Sequence, residues 1–163
     1  MKGGVGSSLL HGADGLKVGA LMVVNAFGEI VDPNTGIKIA GARKSPGSNE
    51  LVETIPALMK ITGFIGGFPA GESTVIGAIA TNALLNKVQL TKVAQMAHDG
   101  LARTIYPTHT QYDGDAVFAL SCGTLEGVEV SLIGALAVIA AGEAILRAVR
   151  KAHSLARIPA VSD

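Results

Sequence analysis

The sequence predicts a mixed α/β (α+β) fold in a single domain spanning residues 1–163. Three apolar runs of strand length, at 18–24, 75–80 and 116–121, alternate with two segments of helical spacing at 91–105 and 131–153. Hydrophobic residues make up 48% of the chain and charged residues 16%, which suits a packed core. That core is built from small residues: there are 21 Gly, aromatic residues are only 4% and Trp is absent. Such a composition brings backbones close together and leaves little bulk to fill gaps. The expectation is association with further protein to complete the burial, either as a homo-oligomer or in a complex with another chain.

Each element follows from local chemistry. Residues 18–24 (Val-Gly-Ala-Leu-Met-Val-Val) form the first strand, and Phe27 to Val31 resumes the apolar character. Asp32-Pro33-Asn34-Thr35-Gly36 is strong turn chemistry, because Pro presets φ and Asn or Gly accepts positive φ. Ile37 to Ala40 is the return strand, and 42–50 reads as an exposed loop. Leu51 to Lys60 has helical spacing interrupted by Pro56. Val75 to Ala80 is continuously apolar and is expected to be buried on both faces. Thr91 is the expected N-cap of a helix whose apolar positions Val93, Ala97, Leu101 and Ile105 recur every four residues, with Pro107 as the stop. Ala116 to Ser121 is a further buried strand, Gly123 to Gly127 a turn and Val128 to Val130 a short extension. The last helix, from about Ser131 to His153, carries Arg147, Arg150 and Lys151 near its C-terminal end, where cations suit the dipole.

Charge and cysteine content exclude several classes. With 13 basic and 13 acidic residues the net charge is zero, which argues against a nucleic-acid or anionic-membrane partner. The longest apolar run, Leu132 to Gly142, is shorter than the ~20 residues a bilayer span requires. The single Cys122 has no internal disulfide partner and is expected to pack in its strand. The opening residues lack the order of a signal peptide, so a cytoplasmic location is expected.

The most informative stretch is 71–82, Gly-Glu-Ser-Thr-Val-Ile-Gly-Ala-Ile-Ala-Thr-Asn. A glycine-rich approach (Gly63, Gly66, Gly67, Pro69, Gly71) meets two hydroxyl residues, Ser73 and Thr74, at the start of an apolar strand. Backbone scission just before Thr74 would give that threonine a free amine, which can act as the general base for its own hydroxyl without a histidine. Read alone, the same residues also describe a glycine-rich loop entering an ordinary core strand. Asp113 and Asp115 flank Gly114, and residues two apart in an extended segment face the same way. Both carboxylates can therefore serve one site, where they would raise the pKa of a nearby α-amine; as a local pattern they equally fit a turn with two solvated Asp. His98 and His109 show no metal-ligand spacing and are assigned structural roles. Gly4-Val5-Gly6 lacks the third glycine of a dinucleotide fingerprint, so no cofactor and no metal is implied.

Residues 96–123, with Asp-Gly-Asp at 113–115, together with Thr-Val-Ile-Gly-Ala-Ile-Ala-Thr-Asn-Ala from Thr74 and the opening Met-Lys-Gly-Gly-Val-Gly-Ser-Ser, closely resemble the L-aminopeptidase/D-esterase family of self-processing, N-terminal-nucleophile-like hydrolases. That family includes beta-peptidyl aminopeptidases and the nylon-oligomer hydrolase. The resemblance covers nearly the whole chain, in the family's order, but begins in mid-family, since members are about twice as long. It implies the later part of an αββα sandwich of the aminopeptidase and ornithine acetyltransferase type. Residues 1–73 correspond to the end of the α-chain region, and 74–163 to a β-chain beginning at the nucleophile. The absent half would supply sheet and pocket, and the chain is either a short relative or a C-terminal piece. Thr74 is the implied nucleophile, with Ser73 standing where Asn is common in the family. Asn25 matches the family's asparagine, an oxyanion donor. Lys2 matches its lysine, which assists electrostatically. Asp113 and Asp115 would orient the amine and hydroxyl. The implied activity is release of N-terminal residues from short peptides, or cleavage of related amides and esters. An unprocessed half-protein acting in assembly, or an acyltransferase on the related fold, are the alternatives.

Overall fold

A computed structural model describes residues 1–45, 48, 50–60, 73–156 and 158–162. Its centre is a four-stranded sheet in the order β1 (Gly4–His11), β2 (Lys17–Asn25), β5 (Thr74–Ala83) and β7 (Ala116–Leu125). The first two pairings are antiparallel, and β5 runs parallel to β7. A smaller antiparallel sheet joins β4 (Lys38–Ala40), β3 (Glu29–Val31) and β6 (Ile105–Tyr106). Helix α1 (Thr54–Met59) is short and takes Pro56 in its first turn. The crossover from β5 to β7 contains α2 (Lys87–Thr104), and α3 (Val130–Arg150) follows β7.

Both long helices pack on one face of the main sheet, α3 over β1 and β2 and α2 against β7, and they pack on each other. The small residues foreseen from composition make this contact possible. A β-carbon at Gly6 would collide with the Ala144 carbonyl of α3, and one at Gly100 would come within 2.6 Å of the Val138 carbonyl. Gly134, Ala137, Ala140, Ala141 and Ala144 form the buried stripe of α3. By length and composition α3 could cross a membrane, but 61% of its apolar window is buried inside the chain.

The alternation of the strands divides the sheet cleanly. Val18, Ala20, Met22 and Val24 of β2, with Val75, Ile79 and Ala83 of β5, face the helices and are buried. The opposite face is open. The register aligns Val5 with Val23, Val23 with Ile76 and Ala78 with Phe118 across four strands. Val5, Leu9, Leu21, Val23, Ile76, Leu120 and Phe118 all stand exposed there, Phe118 at 63%.

Several expectations are thereby corrected. The strand at 75–80 is buried on one face only, and that at 116–121 is no more than half-buried on its helix-facing side, because both long helices lie on the same side of the sheet. Cys122 is exposed on the open side, and its thiol donates to Thr81 O at 3.3 Å. Helix α2 starts earlier than Thr91: Asn86 is its N-cap, in a reciprocal capping box with Gln89. Strand β7 continues to Leu125 through the expected turn, and Val130 opens α3 instead of ending a strand. Residues 4–11 form an edge strand that no apolar run announced, because its helix-facing positions are Gly4, Gly6 and Ser8.

Candidate active site

Thr74 opens β5 on the open side of the sheet, and its cross-strand partner is Asn25, the last residue of β2. On the other side, the parallel pairing of Ile76 with Ala116, carried back two residues, sets Gly114 beside Thr74. A β-carbon at Gly114 would lie 3.0 Å from Thr74 Oγ1, so a glycine here leaves space around the hydroxyl. Asn25 is exposed and half-buried Thr74 stands next to it, at the end of the apolar rows just described.

The peptide bond between Ser73 and Thr74 is held in a specific way. The Gly114 N–H donates to Ser73 O at 3.0 Å, and the Thr74 hydroxyl donates to the same oxygen at 2.7 Å. Ser73 also bridges to Asp113 in parallel register. Two donors on one carbonyl oxygen polarise that carbonyl.

The two acidic residues approach this strand through its backbone. Asp115 Oδ1 accepts the Val75 N–H at 2.8 Å, while Oδ2 accepts from Thr108 Oγ1 at 3.2 Å and pairs with His109 Nδ1 at 3.2 Å. Asp113 Oδ2 accepts from both the N–H and the hydroxyl of Thr110, at 3.0 and 2.8 Å. The loop of 107–115 is thus tied by one carboxylate to itself and by the other to the residue after Thr74.

Lys2 is integrated into the fold. Its N–H donates to Pro159 O at 2.8 Å and its Nζ to Gly3 O at 2.9 Å. Lys2 and Asn25 line the same cleft of about 240 Å³, which continues past Phe27 and Gly28 to Ala40 and Gly41. Phe27 stacks on Tyr112 with ring centroids 5.2 Å apart, linking the connection after Asn25 to the loop that carries Asp113. His98 of α2 lies 5.0 Å from His109, and burial first, then the neighbouring His109, push its pKa below the usual histidine range. Among the described residues no group of three or more His, Cys, Asp or Glu side chains is placed to hold a metal.

The structure therefore gathers Ser73, Thr74, Asn25, Asp113 and Asp115 at one end of the sheet, with Lys2 in the adjoining cleft. The glycine-rich approach up to residue 72 lies outside the described residues. Sequence reasoning gave His109 a structural role, without its Asp115 partner, and missed Phe27 and Tyr112. Phe27 and Tyr112 sit close in sequence to Asn25 and Asp113, which was the only available signal for them.

The architecture has solved counterparts. A Pyrococcus horikoshii protein superimposes with a TM-score of 0.63 at 24% identity, over 95% of this chain and 42% of the other. The L-aminopeptidase D-Ala-esterase/amidase of Ochrobactrum anthropi, described as a variant of the Ntn hydrolase fold, superimposes with a TM-score of 0.57 at 20% identity, over 91% and 40%. An uncharacterized aminopeptidase of Mycobacterium tuberculosis is 38% identical across 100% of this chain and 52% of its own length, so the chain spans about half the length of that curated relative. The profile of peptidase family S58 matches residues 1–160, and the chain belongs to that family.

Proposed function

We propose that this chain carries the nucleophile-bearing part of a self-processing aminopeptidase or amidohydrolase acting on short peptides or related amides and esters. The observation that supports it most is the Ser73 carbonyl, which accepts at once from Gly114 N–H and from the Thr74 hydroxyl. In the proposed maturation Thr74 Oγ attacks the Ser73 carbonyl carbon and the C–N bond breaks. The hydroxyl proton passes to the departing nitrogen. Water then hydrolyses the ester, leaving a Ser73 carboxylate and a Thr74 with both its hydroxyl and a free α-amine. In turnover that amine takes the hydroxyl proton as Oγ attacks the substrate carbonyl, and passes it to the leaving group as the substrate C–N or C–O bond breaks. Water then hydrolyses the Thr74 ester to release the acid and restore the hydroxyl. The Asn25 amide is the proposed oxyanion donor, Asp115 and Asp113 hold the strand and loop around Thr74, and Lys2 biases the cleft toward negative charge.

The open face supports a further part of the proposal. A site bordered by exposed Leu21, Val23 and Ile76 needs a second layer to exclude water, and fully burying one such side chain is worth about 1.5–3 kcal/mol. We propose that an N-terminal-half segment of the relatives' length, or a partner chain carrying it, supplies this layer. A second reading shares that surface: an intact, non-catalytic half whose role is assembly. Mass spectrometry separates the two. A matured hydrolase gives two pieces, the larger beginning at Thr74, whereas a single species near 16.5 kDa indicates the assembly reading.

A further inference from the structure

The Asp115 carboxylate is 4% exposed; it accepts from the Val75 N–H and the Thr108 hydroxyl, and lies 3.2 Å from Nδ1 of His109, a side chain that is 39% exposed. His109 also adopts φ of +56°, the left-handed region that a β-carbon disfavours. A residue other than glycine in that conformation calls for a compensating contact, and the contact present is Nδ1 against Asp115 Oδ2 at 3.2 Å. The groups facing this imidazole are Asp115 from the start of β7 and His98 from α2, with Asp99 following His98 on the same helix. Burial and the neighbouring imidazole disfavour the charged form of His98, and the nitrogen that lies against the carboxylate belongs to His109.

We propose that His109 is a positioning residue that locks Asp115 against the Val75 amide and thereby fixes the strand end that presents Thr74. The link runs from His109 Nδ1 to Asp115 Oδ2, and from Asp115 Oδ1 to the Val75 N–H, one residue beyond the hydroxyl. A buried carboxylate that loses one of its donors regains hydrogen bonding by rotating or by admitting water, and either change loosens its hold on Val75. The functional consequence rests on the reading of Thr74 as nucleophile; the structural link does not.

Two substitutions separate the donor from the backbone shape. His109→Asn keeps a side-chain N–H near the Nδ1 position and tolerates positive φ. His109→Gly relieves the backbone and removes the donor. Amide hydrogen exchange of the full chain is expected to show Val75 protection reduced about tenfold in His109→Gly and nearly unchanged in His109→Asn, with Leu101 and Ile145 in the helix layer unaffected in both. Scission before Thr74 should slow in the Gly variant and be preserved in the Asn variant. Equal Val75 protection in the Gly variant and the parent, or an Asn variant as poor as Gly, would overturn the proposal. If even the parent chain is never cut, the nucleophile reading fails while the Val75 measurement still decides the role of His109. Should the Gly variant not fold, the parent itself serves: imidazole nitrogen shifts must show His109 protonated at Nδ1, and a neutral ring protonated at Nε2 alone refutes the link.

Discussion

The helix-covered face of the main sheet and its open face are made by the same four strands, one residue apart, yet they solve different problems. On the covered face, Val18, Met22, Val75 and Ile79 meet α2 and α3, and glycine and alanine let the helix backbones come down onto the sheet. On the open face the side chains are just as apolar, but nothing among the described residues covers them, and the row at one end is polar: Asn25, Thr74 and, in register, Gly114. The comparison teaches that this chain finishes its own core on one side and presents its candidate chemistry on the other. Stability and proposed function should therefore respond to different sets of substitutions.

The largest expected effect belongs to the polar row. Thr74→Ala removes the hydroxyl and is expected to abolish scission before residue 74 and to lower hydrolysis at least about a thousandfold. Thr74→Ser keeps the hydroxyl and should retain part of both. Melting temperature should hardly change, because Thr74 is only half-buried and its hydroxyl bonds to the preceding carbonyl. An alanine variant still cut at the same bond would remove Thr74 from the role.

The contrast between the faces sharpens with a matched pair. Leu101 is fully buried between the helices and the sheet, and Leu101→Ala should cost about 2–5 kcal/mol in denaturant unfolding. Phe118→Ser, on the open face, should cost the isolated chain much less, within about 0.5 kcal/mol. Where the proposed second layer is a further chain, the same Phe118 change should weaken its association, seen by light scattering as a shift toward the single-chain mass. If Phe118→Ser destabilised the chain as much as Leu101→Ala, the two faces would not be distinct in the way the exposure pattern implies.

Much of this was legible in the sequence, and the failures have physical causes. Val93, Ala97 and Leu101 of α2 are all buried, since a four-residue period selects one face directly, and Ile105, also buried, already belongs to β6. The motif residues Ser73, Thr74, Asn25, Asp113 and Asp115 do come together, because register carries Asn25 across to Thr74 and Ser73 across to Asp113. Burial on both faces was misread at Ile76 and Phe118, since a continuous apolar run reports only that both faces want covering, not that this chain covers them. Strand β1 was hidden by its glycines, which are demanded by the α3 backbone and not by any strand propensity. His109 was read as structural, but its pairing with Asp115 gave no signal, because that partner lies six residues on across an irregular loop, where neither the helical nor the strand period applies.

The smallest expected effect concerns the place where the helix layer meets the site. His98 belongs to α2, but its ring lies against His109 on the loop that serves Thr74. Burial, and then His109, lower its pKa, while Asp115 and Asp99 pull the other way. The folded chain therefore binds this proton less readily than the unfolded chain does, whose histidine titrates near about 6.5. Above that pH both states are neutral and His98 adds no slope. As the pH falls through about 6.5 the unfolded state takes up the proton first, so stability must drop, and it levels off only below the folded value. His98→Gln should flatten this step in a plot of unfolding free energy against pH while leaving the region above neutrality unchanged. Because the ring is only partly buried, the step should be modest. An unchanged slope in the variant would mean that the loss of stability in weak acid arises elsewhere, and that the contact between helix layer and site loop carries no proton linkage.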